Sequence, residues 1–168
     1  MKIFLIGFMG CGKTTLGKKL AKKQAFELVD LDHAIEQATG SSVANYFSVH
    51  GEEAFRKLES DTLKNYPYAE NCIIATGGGT PCFFDNMEWM NANGTTVYIE
   101  LSAVSLAKRL EKGMAKRPLL SGLSPKGVVE FIENKLKERG PFYQQAKIKL
   151  SGLNLTAEGI RDAVSGQD

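Results

Sequence analysis

Residues 2–16 read KIFLIGFMGCGKTTL, and this stretch decides the fold. Ile3, Phe4, Leu5 and Ile6 form a short apolar run stopped by glycine, which suits a strand buried on both faces better than a helix with a wet side. Gly7-Phe8-Met9-Gly10-Cys11-Gly12-Lys13-Thr14 follows at once and fills the pattern G-x-x-x-x-G-K-[ST] without a mismatch. Glycines at 7, 10 and 12 let successive N–H groups of the loop turn inward around an anion, making a nest for phosphate. Lys13 then sets an ammonium against the terminal phosphates, and the Thr14 hydroxyl is placed to ligate the accompanying Mg²⁺. The helix beginning near Lys13 adds its unpaired N–H groups and the positive end of its dipole.

The chain as a whole sets bounds on this reading. Its 168 residues suit one domain, and no repeat or low-complexity segment interrupts them. A formal charge of +2 is too small to argue for nucleic acid, and Lys18, Lys19, Lys22 and Lys23 read as the solvated face of the first helix. Cys11, Cys72 and Cys82 are odd in number and lack metal-ligand spacing, which predicts free thiols in a reducing compartment. No signal-peptide pattern opens the chain and no apolar stretch reaches membrane length. The expectation is a cytoplasmic monomer without nucleic-acid or membrane partners.

Along the chain, apolar runs alternate with amphipathic stretches. Strands are expected near 2–6, 26–29, 72–75, 96–101 and 147–150, with helices between them, which predicts a five-stranded parallel sheet covered on both faces. The second strand ends in Asp30-Leu31-Asp32, whose carboxylates share one side by the two-residue period of a strand. Gly40 ends a short helix from Asp32, and His50-Gly51 breaks a helical pattern before a helix over 52–66. Arg56 and Glu59, three apart on that helix, read by spacing alone as an ordinary surface ion pair. His33 and His50 have no partner pattern for catalysis or metal and read as structural or exposed.

After the third strand, Thr76-Gly77-Gly78-Gly79-Thr80 is costly in folding entropy, so the backbone there must approach something closely, with a ligand expected and a merely flexible loop as the alternative. A helix is expected over 83–93, with Met87 and Met90 as core positions. Ser102 caps another helix whose Val104, Leu106 and Leu110 are expected to pack. Residues 112–122, bounded by glycines near both ends, lose all periodicity and read as a mobile lid. Arg117 in that lid suits charge spread over a transferring phosphoryl group, with an incidental loop arginine as the even alternative. A long helix opens at Ser124-Pro125 and is expected to close at Gly140-Pro141.

Taken together, these motifs resemble the shikimate kinases, small P-loop enzymes of the nucleoside-monophosphate-kinase fold. The resemblance covers roughly residues 3–143 and rests on six features in order. They are the phosphate loop Gly7 to Thr15, Asp30-x-Asp32, Phe55-Arg56-x-x-Glu59, Gly77 to Gly79, Arg117-Pro118-Leu119, and Arg139-x-Pro141-x-Tyr143. It implies an α/β three-layer fold, an ATP and Mg²⁺ requirement, and transfer of phosphate to shikimate. By the same resemblance Gly10, Cys11, Gly12, Lys13, Thr14 and Thr15 would contact ATP, and Arg109 would stack on adenine. Asp32 would hold a ring hydroxyl and act as base, with Lys13 and Arg117 as its catalytic companions. Asp30 would help organise Mg²⁺ beside Thr14. Arg56 and Arg139 would hold the shikimate carboxylate, Glu59 would orient Arg56, Gly78 and Gly79 would offer N–H groups, and Phe47 and Phe55 would form an apolar wall. Residues 32–66 would be the substrate-binding helical segment. The stretch SGLNLTAEG after Leu150 departs from the family in lacking a proline-containing adenine loop.

Two other readings share the loop. A gluconate or nucleoside monophosphate kinase would keep the donor side and change the acceptor side, and paired carboxylate-binding arginines count against a neutral sugar or a base. A nucleotide-binding switch would need a base-reading Asn-Lys-x-Asp, which the chain lacks.

Overall fold

The computed structural model describes residues 1–112 and 120–166. Its centre is strand β1 (Lys2–Ile6), flanked in the order β2-β3-β1-β4-β5 by β2 (Glu27–Asp30), β3 (Cys72–Ala75), β4 (Thr95–Glu100) and β5 (Ile148–Ser151). All pairings are parallel, with Ile3 opposite Ile73 on one side and Leu5 opposite Val97 on the other. Successive side chains of β1 point to opposite faces, so the apolar run divides between two cores. Ile3 and Leu5 pack with Leu20, Ile73, Val97, Leu106 and Ile160. Phe4 and Ile6 pack with Leu31, Ile35, Leu63, Ile74, Met90 and Tyr143. A strand buried on both sides explains why its sequence shows no alternation.

The helices are α1 (Lys13–Gln24), α2 (Leu31–Thr39), α3 (Val43–Asn65), α4 (Asn86–Asn93), α5 (Ala103–Glu111), α6 (Pro125–Tyr143) and α7 (Ala157–Ser165). Among the described residues, none is long and apolar enough to cross a membrane. From β1 the chain crosses past β3 to β2, and from β3 it crosses past β1 to β4. A crevice therefore opens at the carboxyl ends of β1 and β3, where ligands of such sheets sit.

Several expectations need correction. Asp32 lies in the first turn of α2 while Asp30 ends β2, so their shared side comes from the strand-to-helix junction and not from strand alternation. The helix foreseen over 83–93 begins only at Asn86, because a 3-10 turn over Thr80–Cys82 leads into an extended Phe83 and a left-handed Phe84 with φ 51°. Helix α6 does not stop at Gly140-Pro141. Proline removes one donor only, and the turn is kept by the Gln144 N–H on the Gly140 carbonyl at 2.9 Å and by the fully buried Tyr143 ring. Val104, expected to pack, is 61% exposed. Helix α3 is interrupted at Gly51 as foreseen, with φ 85° and ψ 169° there. Of the segment 112–122, residues 113–119 lie outside the described residues, and the reading of Arg117 lies outside them too.

Candidate active site

The site begins where β1 hands over to α1. Gly12 caps that helix at φ 102°, a left-handed conformation that leaves the first-turn N–H groups without a side-chain cap and free to hold an anion. Lys13 is folded inward, its Nζ donating to the carbonyls of Gly7 at 2.7 Å and Phe8 at 3.0 Å. Only 7% of the residue is exposed, so its charge belongs to the loop and not to solvent. Thr14 Oγ1 donates to Asp30 Oδ2 at 2.8 Å, tying the loop to the end of β2. The other oxygen, Oδ1, accepts from the His33 N–H at 3.3 Å and caps α2. One carboxylate thus serves as helix cap and as neighbour of the phosphate loop.

The acceptor side is assembled from distant segments that meet at the triple glycine after β3. A Cβ on Gly77 would stand 2.9 Å from Glu59 Oε2 and 3.2 Å from Asp32 Oδ1. A Cβ on Gly79 would stand 2.6 Å from both terminal nitrogens of Arg56, and one on Gly78 would stand 3.3 Å from Arg139 Nη1. Each glycine therefore gives up its side-chain space to a charged group. The close approach is thus made to the protein's own charged side chains, whereas the sequence points to a ligand there. The Tyr143 hydroxyl donates to the Gly78 carbonyl at 2.5 Å and anchors the end of α6, one turn beyond Arg139, to the same loop.

Arg56 is not a surface residue. Its Nη1 donates to Glu59 Oε1 at 3.0 Å, Glu59 is 1% exposed, and the guanidinium carbon stands 4.2 Å from the Phe83 ring centroid and 5.2 Å from that of Phe55. Phe47 and Phe55 lie with ring centroids 5.7 Å apart. Arg139 stands over Phe8 at 5.4 Å. Asp32 is pushed up from 3.8 to about 6, first by burial and then by the negative charges of Glu59 and Asp30, against the opposing pull of Lys13.

A cleft of about 1010 Å³ joins the two sides. Gly10, Gly12, Lys13, Thr14, Thr15, Asp30, Asp32, Gly78 and Arg109 line it. Cys11 is buried behind the loop and faces a smaller cavity of about 180 Å³. Arg56, Arg139, Gly79, Phe47 and Phe55 are not among the lining residues of the large cleft, although Arg139 reaches it through Gly78. Sequence reasoning missed Thr76, Val104, Ser105, Lys108 and Leu153, all of which line the cleft. Val104, Ser105 and Lys108 share the α5 surface with Arg109, and helical spacing from Arg109 was the available signal. Leu153 lies in SGLNLTAEG and, with Arg109, lines both cavities, so that stretch forms a wall although it lacks the proline pattern.

The arrangement sets an anion-binding loop beside a carboxylate pushed up to about 6, with two guanidinium groups on the far side of the triple glycine. Comparison with known proteins agrees with it. The family model for shikimate kinase matches residues 9–164. A shikimate kinase of Parabacteroides distasonis is 46% identical over 157 residues, covering 94% of this chain and 91% of the relative. The crystal structure of shikimate kinase from Bacteroides thetaiotaomicron is 40% identical with a TM-score of 0.88, covering 99% of this chain and 96% of that one. Shikimate kinase from Acinetobacter baumannii, solved in complex with shikimate, is 30% identical with a TM-score of 0.86, covering 99% and 91%.

Proposed function

This chain belongs to the shikimate kinase family, and from that premise we propose that it transfers the γ-phosphoryl group of ATP to a hydroxyl of shikimate, giving shikimate 3-phosphate and ADP. The observation that carries this reading is the convergence of Asp32, Arg56 and Arg139 on Gly77 to Gly79 beside the loop that seats Lys13.

ATP places its phosphates in the loop of Gly10 to Thr15, where backbone N–H groups and Lys13 meet their charge. Arg109, shared with Leu153 by both cavities, is assigned to the adenine. The Thr14 hydroxyl and Asp30 carboxylate, 2.8 Å apart, form an oxygen-only pair that fits Mg²⁺ bound with few protein ligands. When bound there, Mg²⁺ neutralises charge on the phosphates. On the acceptor side a guanidinium fork matches a carboxylate with paired hydrogen bonds, which is the role given to Arg56 and Arg139. Gly78 and Gly79 offer N–H groups, and Phe47 and Phe55 an apolar wall.

Asp32 accepts the proton of the attacking hydroxyl. Its raised pKa of about 6 keeps it ionised at neutral pH while making it a stronger base than an ordinary carboxylate. The oxygen attacks phosphorus in line, and the leaving oxygen remains with ADP. Arg117, from its place in the sequence, is assigned to the charge on the transferring group. Both substrate sides come from one chain, which supports a single domain that needs no second copy to complete its site.

The test offers ATP and Mg²⁺ with shikimate, gluconate, AMP or CMP separately, reading ADP release and the product by phosphorus NMR. ADP release with shikimate alone, with one new phosphomonoester signal, is expected. Equal rates with gluconate or a nucleotide, or ADP release independent of acceptor, would overturn the reading.

A further inference from the structure

Behind the guanidinium of Arg56 lies a buried polar network that no step above uses. Glu59 has both carboxylate oxygens committed: Oε1 accepts from Arg56 Nη1 at 3.0 Å, and Oε2 accepts from the Thr80 hydroxyl at 2.8 Å. The next residue on α3, Ser60, donates to Asn86 Oδ1 at 2.6 Å, and the Asn86 amide nitrogen donates to the Thr80 carbonyl at 2.9 Å. Thr80 and Asn86 are 0% exposed, Glu59 1% and Ser60 5%, so water does not substitute for any of them. Two adjacent residues of α3 are thus clamped to the segment that follows the triple glycine.

Thr80 stands at the centre of this clamp. Its N–H bonds the Gly77 carbonyl at 3.2 Å, so the hydroxyl is fixed to the same turn that carries Gly79, against which the Arg56 guanidinium lies. Apart from Glu59, Arg56 is held by packing, its guanidinium lying over the Phe83 and Phe55 rings and against Gly79. Its Nε makes no hydrogen bond and lies 3.6 Å from the exposed Glu52 carboxylate. Glu59 makes the one hydrogen bond on the guanidinium, and the Thr80 hydroxyl is the donor that satisfies the other oxygen of the same carboxylate.

We propose that Thr80 is a positioning residue for acceptor binding: its hydroxyl holds Glu59, and through Glu59 fixes the guanidinium of Arg56 in the plane that meets the substrate carboxylate. The inference rests on the reading of Arg56 as a shikimate contact. Valine keeps the shape of threonine and removes the donor, leaving a buried carboxylate oxygen unpaired. Serine keeps the donor.

The experiment measures KM for shikimate, KM for ATP and kcat in the parent protein and in Thr80→Val, Thr80→Ser and Arg56→Lys. Thr80→Val is expected to raise KM for shikimate about tenfold, the lower end for a buried hydrogen bond to a charged group. KM for ATP should stay within about twofold, and Thr80→Ser should recover most of the loss. A purely structural role would shift both substrates or spare neither variant. If Thr80→Val does not fold, Thr80→Ala is read on the same constants. Unchanged KM for shikimate in Thr80→Val, equal loss for both substrates, or no recovery in Thr80→Ser would overturn the inference while a raised KM in Arg56→Lys leaves the reading of Arg56 standing. Unchanged KM in Arg56→Lys would overturn both.

Discussion

Around Lys13 the proposed nucleotide seat is built from consecutive residues and mostly from backbone, whereas around Asp32 side chains from α2, α3 and α6 meet at one glycine loop. The donor end carries a cation seated on the carbonyls of its own loop. The acceptor end buries the carboxylates of Glu59 and, to a lesser degree, Asp32 close together and offsets them with guanidinium groups, so function there is set against stability. A pocket made of backbone tolerates few changes but hides no strain. One made of clustered like charges is tunable and carries a standing cost.

This contrast can be broken at either end. Lys13→Ala should have the largest effect, lowering kcat by about 10⁴-fold by removing the cation that meets the phosphates, with little change in melting temperature. A variant retaining near-parental turnover would remove Lys13 from the chemistry. Asp32→Asn should lower kcat about 10³-fold, and it should also stabilise the protein at pH 7 by about 1–3 kcal/mol. The sign follows from a folded pKa of about 6 above the ordinary 3.8. The folded state binds the proton more tightly, so the ionised carboxylate costs stability above pH 6, and that cost fades as pH falls toward 4. Melting temperatures of parent and variant should therefore converge near pH 4, and a constant offset from pH 4 to pH 8 would refute the burial account. In the parent, kcat/KM for shikimate should fall as pH drops through about 6.

Gly79→Ala comes next. Its Cβ would lie 2.6 Å from both terminal nitrogens of Arg56, so the guanidinium must move. KM for shikimate should rise about 10- to 100-fold with KM for ATP unchanged, measured at saturating ATP. The smallest effect belongs to Tyr143→Phe, which loses the hydroxyl on the Gly78 carbonyl and should lower stability by about 1 kcal/mol and the melting temperature by about 2–4 °C.

The two ends also differ in how far they could be read from the chain. The strand-loop-helix around Lys13 is local, and its strands were placed within about one residue because glycine and charge bound each apolar run. The acceptor end is tertiary. Nothing in the spacing of Arg56 and Glu59 separates a surface pair from a buried one, since what buries them is Thr80 and Gly79, far along the chain. Resemblance supplied their roles where periodicity could not. Val104 is apolar and helical yet does not face the sheet: it is exposed and borders the cleft. Pro141 misled because the cost of one missing donor was weighed without the burial of Tyr143.

Gly51 has a further consequence. A Cβ built there would meet nothing within 4 Å, so glycine is required by its torsions alone. The outer arm of α3, tied to α2 through the Val43 N–H on Glu36, takes its heading from one residue's bond rotations. The inner arm is moored by Glu59 and Ser60. The molecule thus has an elbow: Phe47 lies on the forearm and Arg56 on the upper arm, with the bend between them set at Gly51.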